Sequence, residues 1–266
     1  CTPTTSIDLE ATAKLQEEQP LGKFNGLSTF TNRSHLAFQE LAEAWRTTQT
    51  FGEFWDQVFN LPFYRALIFT LTYTAVVTPI VIVLGLAIAV GVNNLPKFLK
   101  GPSIFISLLP FLVTPLVGSL ILYWMVDADG VIGATLQRIF DDPSLSLKAS
   151  TALTWVMLIV YGVWHMLPFS FITFYAGLQT VPEDTMEAAQ IDGAGLPSIY
   201  LKIVLPCLRP VFFSAVIITS HIAIKSFDLV TAMTAGGPGY SSDLPALFMY
   251  AHSFTRGQIG LGAASA

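Results

Sequence analysis

Charge is what this sequence has least of: 12% of its 266 residues are Asp, Glu, Lys or Arg, 53% are hydrophobic, and the mean hydropathy is +0.60. Soluble domains carry about 25% charged residues, so a chain this poor in them belongs in lipid. Basic residues are scarcest, 13 against 18 acidic for a net charge of −5, and they form no patch. That excludes a nucleic-acid partner, which requires clustered cations to displace counterions from phosphates. Cysteine is nearly absent, with Cys1 at the terminus and Cys207 beside a proline, so neither a disulfide framework nor a metal site follows. No G-x-x-x-x-G-K-[ST] loop occurs, so the chain does not itself hydrolyse ATP. The start lacks Met and the charged, apolar and small-residue regions of a signal peptide, and it reads as processed or truncated.

The charge that is present is unevenly placed. Twelve charged residues fall within 1–64, whereas 66–92 and 103–126 hold none. The reading is a polar exterior segment, 1–64, followed by a transmembrane domain, 65–266. Up to about residue 44 the exterior segment is rich in Gln, Glu and Thr and has little to bury. From Phe51 a stripe begins. Phe51, Phe54, Trp55, Val58 and Phe59 share one helical face, and Pro62 ends it. With Trp favouring the interface and a long apolar run following, this helix is expected to lie on the bilayer surface or to pack against protein.

Spanning a bilayer takes about 20 apolar residues. Four segments qualify: 66–92, 103–126, 151–178 and about 210–233. Thr70, Thr72, Thr74 and Thr78 in the first, Pro110 and Pro115 in the second and Pro168 in the third suit helices that line a path. The acidic connection 127–148 is expected to include a short amphipathic helix over 131–140. Lys97, Lys100, Lys202 and Arg209 lie in one set of loops, against Arg138, Lys148 and Arg256 in the other, which places the first set in the cytoplasm. The small-residue run 260–266 reads like the opening of a further helix.

The loop after the third span decides the class. It carries Glu187, Ala188 and Ala189, then Gly193 after three residues, then Ile203, Leu205 and Pro206, which is EAA-x3-G-x9-I-x-L-P. Pro182-Glu183-Asp184 opens a helix with acids in its first turn. Gly193 and Gly195 are expected at positive φ, where the chain folds back. Pro206 and Pro210 mark the turn toward the membrane.

In this loop the sequence resembles the permease subunits of binding-protein-dependent ABC importers. The resemblance covers roughly 51–266 and implies an all-α, polytopic permease core of the type I importer kind, with the loop 179–209 as a cytoplasmic coupling helix-turn-helix. It implies that Glu187, Ala188, Ala189, Asp192, Gly193, Ile203, Leu205 and Pro206 form the knob that docks on a cytoplasmic ATPase, which holds the ATP and Mg²⁺. No cofactor is expected on this chain. The implied partners are a second permease subunit, the ATPase subunits, an extracytoplasmic sugar-binding protein and lipid, in a bacterial inner membrane. Ser226-Phe227-Asp228-Leu229 and the run from Met233 to Gly239 look like the carbohydrate-uptake (maltose-type) subfamily, implying sugar as cargo. Such proteins usually have six or more spans, against four clear ones here.

Residues inside the spans suggest where cargo would pass. His165 and His221 fall at midplane depth, with Lys225 nearby and Asp228 a turn further as its candidate ion-pair partner. A sugar needs an aromatic face beside polar groups. Trp164, His165 and Phe169 on the third span and Thr219, His221 and Ser226 on the fourth are the candidate substrate residues. A proton-coupled carrier using His165, His221, Lys225 and Asp228, a membrane-embedded enzyme, and a receptor or anchor are the alternatives. Two histidines without a nearby carboxylate argue against the enzyme, and the carrier leaves the EAA motif unexplained.

Overall fold

The computed structural model describes residues 43, 45–47, 51–141, 146, 151–234, 237, 242–257 and 259–265. Every regular element among them is helical. Most of the exterior segment, Ser144 and Lys148, and Gly236, Pro238 and Gly239 lie outside the described residues.

Helix α1, Phe51–Asn60, is the expected amphipathic one. Val58 is buried, Trp45 meets Phe54 edge-on at 5.2 Å, and Trp55 and Phe59 stay exposed. Leu61 separates it from α2, Pro62–Asn93, whose proline sits in the first turn where a missing N–H costs nothing. At 1.5 Å per residue α2 is roughly 48 Å long, and α6, Thr151–Leu178, roughly 42 Å. Both exceed the hydrocarbon core. They pack along each other as the most extensive helix pair, with α9, Arg209–Ile224, against both. Close approach depends on small residues: a Cβ on Gly85 of α2 would collide with Ser170 of α6, and one on Gly177 of α6 would crowd Leu208 and Val211.

The second expected span is not one helix. It divides into α3, Lys97–Leu112, and α4, Pro115–Met125, bent 86° from each other. The local cause is Pro115, which forces the preceding Thr114 into extended backbone (φ −63°, ψ 143°) and opens α4. Among the described residues three stretches, Phe63–Asn93, Thr151–Leu178 and Arg209–Met233, are long and apolar enough to cross a membrane, or four if this bent pair makes one crossing. The amphipathic helix of the acidic connection is α5, Val131–Phe140.

Beyond α6 come α7, Glu183–Ile191, and α8, which runs from Leu196–Ile199 through a π-helical turn, Tyr200–Val204, to Leu205–Cys207. After α9 a break at Lys225 and Ser226 leads into α10, Phe227–Met233, which packs on α4. Helix α11, Pro245–Tyr250, continues into a second π-turn, and α12, Ile259–Ser265, lies where the small-residue run suggested a helix.

The interior divides along the spans. One core gathers Phe69, Tyr73, Val77, Leu158, Tyr161 and Leu229. The other gathers Ala89, Val92, Phe174, Leu178, Ile199 and Leu208, at the end that carries α7 and α8. Thr78 and Ser220, whose hydroxyls are 3.5 Å apart, lie between α2 and α9.

Candidate functional site: a cavity at two helix breaks and a capped knob

The break between α3 and α4 leaves the carbonyl of Val113 without a helical partner, and α6 supplies the donor. His165 Nε2 lies 3.1 Å from the carbonyl of Val113, and because a carbonyl only accepts, that nitrogen carries the proton. One turn earlier the Tyr161 hydroxyl donates to the carbonyl of Pro115 at 3.3 Å. Gly118 makes this approach feasible, since a Cβ there would occupy the place of the tyrosine hydroxyl. The two rings of α6 stack at 6.0 Å.

Opposite this stitch is the other break, between α9 and α10. Together they enclose a cavity of about 90 Å³ whose polar lining is Tyr161, His165, Lys225, Ser226 and Asp228, with Pro115, Met166 and Ile222 among its apolar walls. Two of the six expected substrate residues, His165 and Ser226, meet here. Trp164 is 43% exposed, with its ring 5.7 Å from that of Tyr161, and Phe169 is half-buried more than a turn further along α6. Thr219 is buried with its hydroxyl unpartnered in the chain, and His221 is exposed on α9. Lys225 and Asp228 share the cavity, but the ion pair expected between them is not formed. The helix is interrupted at Lys225 and Ser226, so the one-turn spacing of a continuous helix does not apply. Pro115, read from the sequence as suiting a path-lining helix, is one of the cavity walls, whereas Tyr161 escaped the sequence reading. The signal for Tyr161 is its place four residues before His165, on the same helix face.

The buried hydroxyl of Tyr73 lies behind this wall, beside Ser226 and Tyr161, without a hydrogen-bond partner. Gly162 gives it room, since a Cβ on that residue would overlap the hydroxyl. A second cavity of about 250 Å³, lined by Tyr123, Thr154, Met157, Met233 and Thr234, lies where the end of α4, the start of α6 and the end of α10 converge.

At the other end the EAA loop forms a compact knob. Helix α7 ends in a Schellman cap: Gly193, at φ +81°, donates to the carbonyl of Gln190 at 3.0 Å, and Ala194 donates to that of Ala189 at 2.9 Å. Only Gly193 of the two expected glycines has positive φ. Gly195 instead immediately precedes α8, its carbonyl accepting from Ser198 and Ile199. The periodicity of α7 turns Met186 and Ala189 onto the core while Glu187 and Ala188 stay exposed, as does Asp192 at the C-cap. Ile203, Leu205 and Pro206 are half-buried along α8. Tyr200 and Gln179 tie the knob and the end of α6 to Asn94 and Asn93 at the end of α2, through side-chain hydrogen bonds of 3.1 and 3.0 Å.

The architecture is that of known importers. A crystal structure of a bacterial ABC transporter involved in import of the acidic polysaccharide alginate contains a chain that superposes with a TM-score of 0.67 at 19% identity, covering 97% of this chain and 83% of that one. The sulfoquinovosyl glycerol transport system permease protein of Agrobacterium fabrum is 28% identical over 221 residues, 80% of this chain and 66% of its own length. The trehalose/maltose transport system permease protein of Thermococcus litoralis is 27% identical over 204 residues, 76% of this chain and 68% of its own. This chain thus spans about two thirds of the length of these relatives. Residues 54–264 match the family model of the binding-protein-dependent transport system inner membrane component, and the chain belongs to that family.

Proposed function

We propose that this chain is a pore-lining permease subunit of an ATP-driven sugar importer, taking cargo from an extracytoplasmic binding protein through the bacterial inner membrane. A second permease subunit completes the pore, and cytoplasmic ATPase subunits hold the ATP and Mg²⁺. The observation that carries this reading is the EAA loop. Its full motif folds into a Schellman-capped knob that presents Glu187, Ala188 and Asp192 outward while Met186 and Ala189 seat it on the spans. The cavity lies at mid-length of α6, while the knob follows that helix's end. Sugar as cargo is supported by the named relatives, whose systems carry sulfoquinovosyl glycerol and trehalose or maltose, and by the juxtaposition of Trp164 and Tyr161 rings with the polar cavity.

The test is uptake by the reconstituted transporter with its binding protein. Trp164→Ala, Phe169→Ala and Ser226→Ala are expected to impair sugar uptake several-fold while the subunit still assembles with the ATPase. A stacked aromatic contributes about 0.5–1.5 kcal/mol beyond its area. Normal uptake by all three would move the substrate site elsewhere, and wild-type coupling in Glu187→Lys would remove the docking role from α7.

A further inference from the structure

We infer that the cavity between the two helix breaks takes an anionic sugar, with Lys225 receiving its negative group and Asp228 accepting from its hydroxyls. The inference rests on the sugar-import reading and narrows it. Lys225 lies within the apolar span Arg209–Met233, four residues past its centre and so about 6 Å from it along the axis. An ammonium at that depth faces a water-filled path or a partner, because exposure to hydrocarbon is too costly. It lines the cavity.

The polar lining separates into groups already engaged and groups left over. Tyr161 donates to Pro115, His165 to Val113, and Ser226 to the carbonyl of Ile222 at 3.4 Å. Lys225 and Asp228 are the polar lining residues whose side chains have no partner among the described residues, and they are not paired with each other. The ammonium therefore offers three donors and a positive charge to whatever enters. A carboxylate, sulfonate or phosphate group matches it in charge and donor number. The carboxylate of Asp228 only accepts, which suits the hydroxyls of the same ligand. Because the two side chains sum to zero charge, the cavity does not repel an anion. Its volume of about 90 Å³ is on the scale of a charged substituent rather than a whole oligosaccharide.

The experiment uses the complete transporter with its binding protein in vesicles and measures uptake of glucose, glucuronate and glucose 6-phosphate, of galactose and galacturonate, and of the corresponding disaccharides. Import of an acidic compound over its neutral counterpart is expected. Lys225→Gln is expected to raise KM for that compound at least tenfold while assembly with the ATPase, measured by copurification, persists. Lys225→Arg should recover most of the affinity. Preference for the neutral counterparts, or a Lys225→Gln variant with wild-type KM for an acidic cargo, overturns the inference. Uptake of none of the compounds overturns the sugar reading itself, and this inference with it.

Discussion

Tyr200, on the second helix of the EAA loop, donates a hydrogen bond of 3.1 Å to the side-chain oxygen of Asn94, at the end of the first span. The Asn94 amide in turn donates to the carbonyl of Val90 at 2.9 Å, and the neighbouring Asn93 accepts from Gln179 at 3.0 Å. Helix α2 is thus held at its end by both the knob and the end of α6. Each such bond contributes about 0.5–1.5 kcal/mol, with the solvent-exposed ones toward the low end. Tyr200→Phe or Gln179→Ala alone should therefore change little, and the double variant should lower sugar transported per ATP hydrolysed by severalfold while leaving ATPase activity in place. Parallel uptake and phosphate-release measurements check this. An unchanged ratio in the double variant would leave the clasp without a part in coupling.

Gly193 gives a sharper test, because its φ of +81° is costly for any residue with a Cβ, by roughly 1–2 kcal/mol. Asn tolerates left-handed backbone better than β-branched residues do. Gly193→Asn should keep most of the coupling and Gly193→Val should lose it, with both chains inserting normally. Equal activity in the two would mean that the Schellman cap does not set the shape of the knob.

His165 has a structural task that its place on the cavity wall conceals. Replacing it by Leu leaves the carbonyl of Val113 without its donor at the break, an omission costing about 1–3 kcal/mol. His165→Leu is expected to lower the melting temperature of the purified subunit, whereas His165→Gln, which keeps an N–H donor, should recover part of it. Equal melting temperatures for all three proteins would show that the break holds without this hydrogen bond.

The contrast between these sites shows what the sequence made legible. The EAA loop could be read because its chemistry is local: a helix start, a glycine at the C-cap and a proline exit all declare themselves within a few residues. The same locality revealed α1, α5 and α6. The 86° bend between α3 and α4 was hidden, because Pro110 and Pro115 are compatible with a kinked continuous helix. What holds the break is distant in sequence: His165 donates to the freed carbonyl of Val113, and Tyr161 to that of Pro115. Tyr161 was missed for the same reason, and Lys225 with Asp228 read as a helical pair because their spacing assumed a helix that stops at Ile224.

A further pair tests how tightly the cavity wall is built. Tyr73 is almost wholly buried with an unpartnered hydroxyl, and Gly162 lies against that hydroxyl so closely that a Cβ would overlap it. Overpacking of this kind costs about 1–3 kcal/mol. Gly162→Ala is therefore expected to reduce the yield of folded subunit, and adding Tyr73→Phe should restore it, since deleting the hydroxyl opens the space and removes an unsatisfied group. Folded yield and melting temperature of the single and double variants are the measurement. Strict additivity would show that the two residues do not compete for the same volume.

The connection before α11 carries a pH dependence with a definite sign. Asp243 is buried, and burial raises its carboxyl above the ordinary value near 3.8. The Leu244 N–H, which donates to its Oδ1 at 3.0 Å, and the neighbouring Arg256 and His252 side chains offset this only in part. A carboxyl with a raised folded value binds its proton more tightly folded than unfolded, so stability is greatest while it is protonated and falls as pH rises from 3.8 through the raised value. Other ionisable residues of the chain contribute to the wild-type profile, so that profile alone does not isolate Asp243. Asp243→Asn does, because the amide oxygen still accepts from Leu244 while nothing at that position titrates. The melting temperature of the variant minus that of the wild type is expected to increase with pH across this window and then level off once the carboxyl is ionised in both states. Thermal unfolding of the detergent-purified subunit, from about pH 4 to about pH 8, spans the carboxylate and histidine ranges and measures this difference directly. A difference that does not vary with pH would mean that the carboxyl titrates alike folded and unfolded, and that its burial against Leu244 does not penalise the charge.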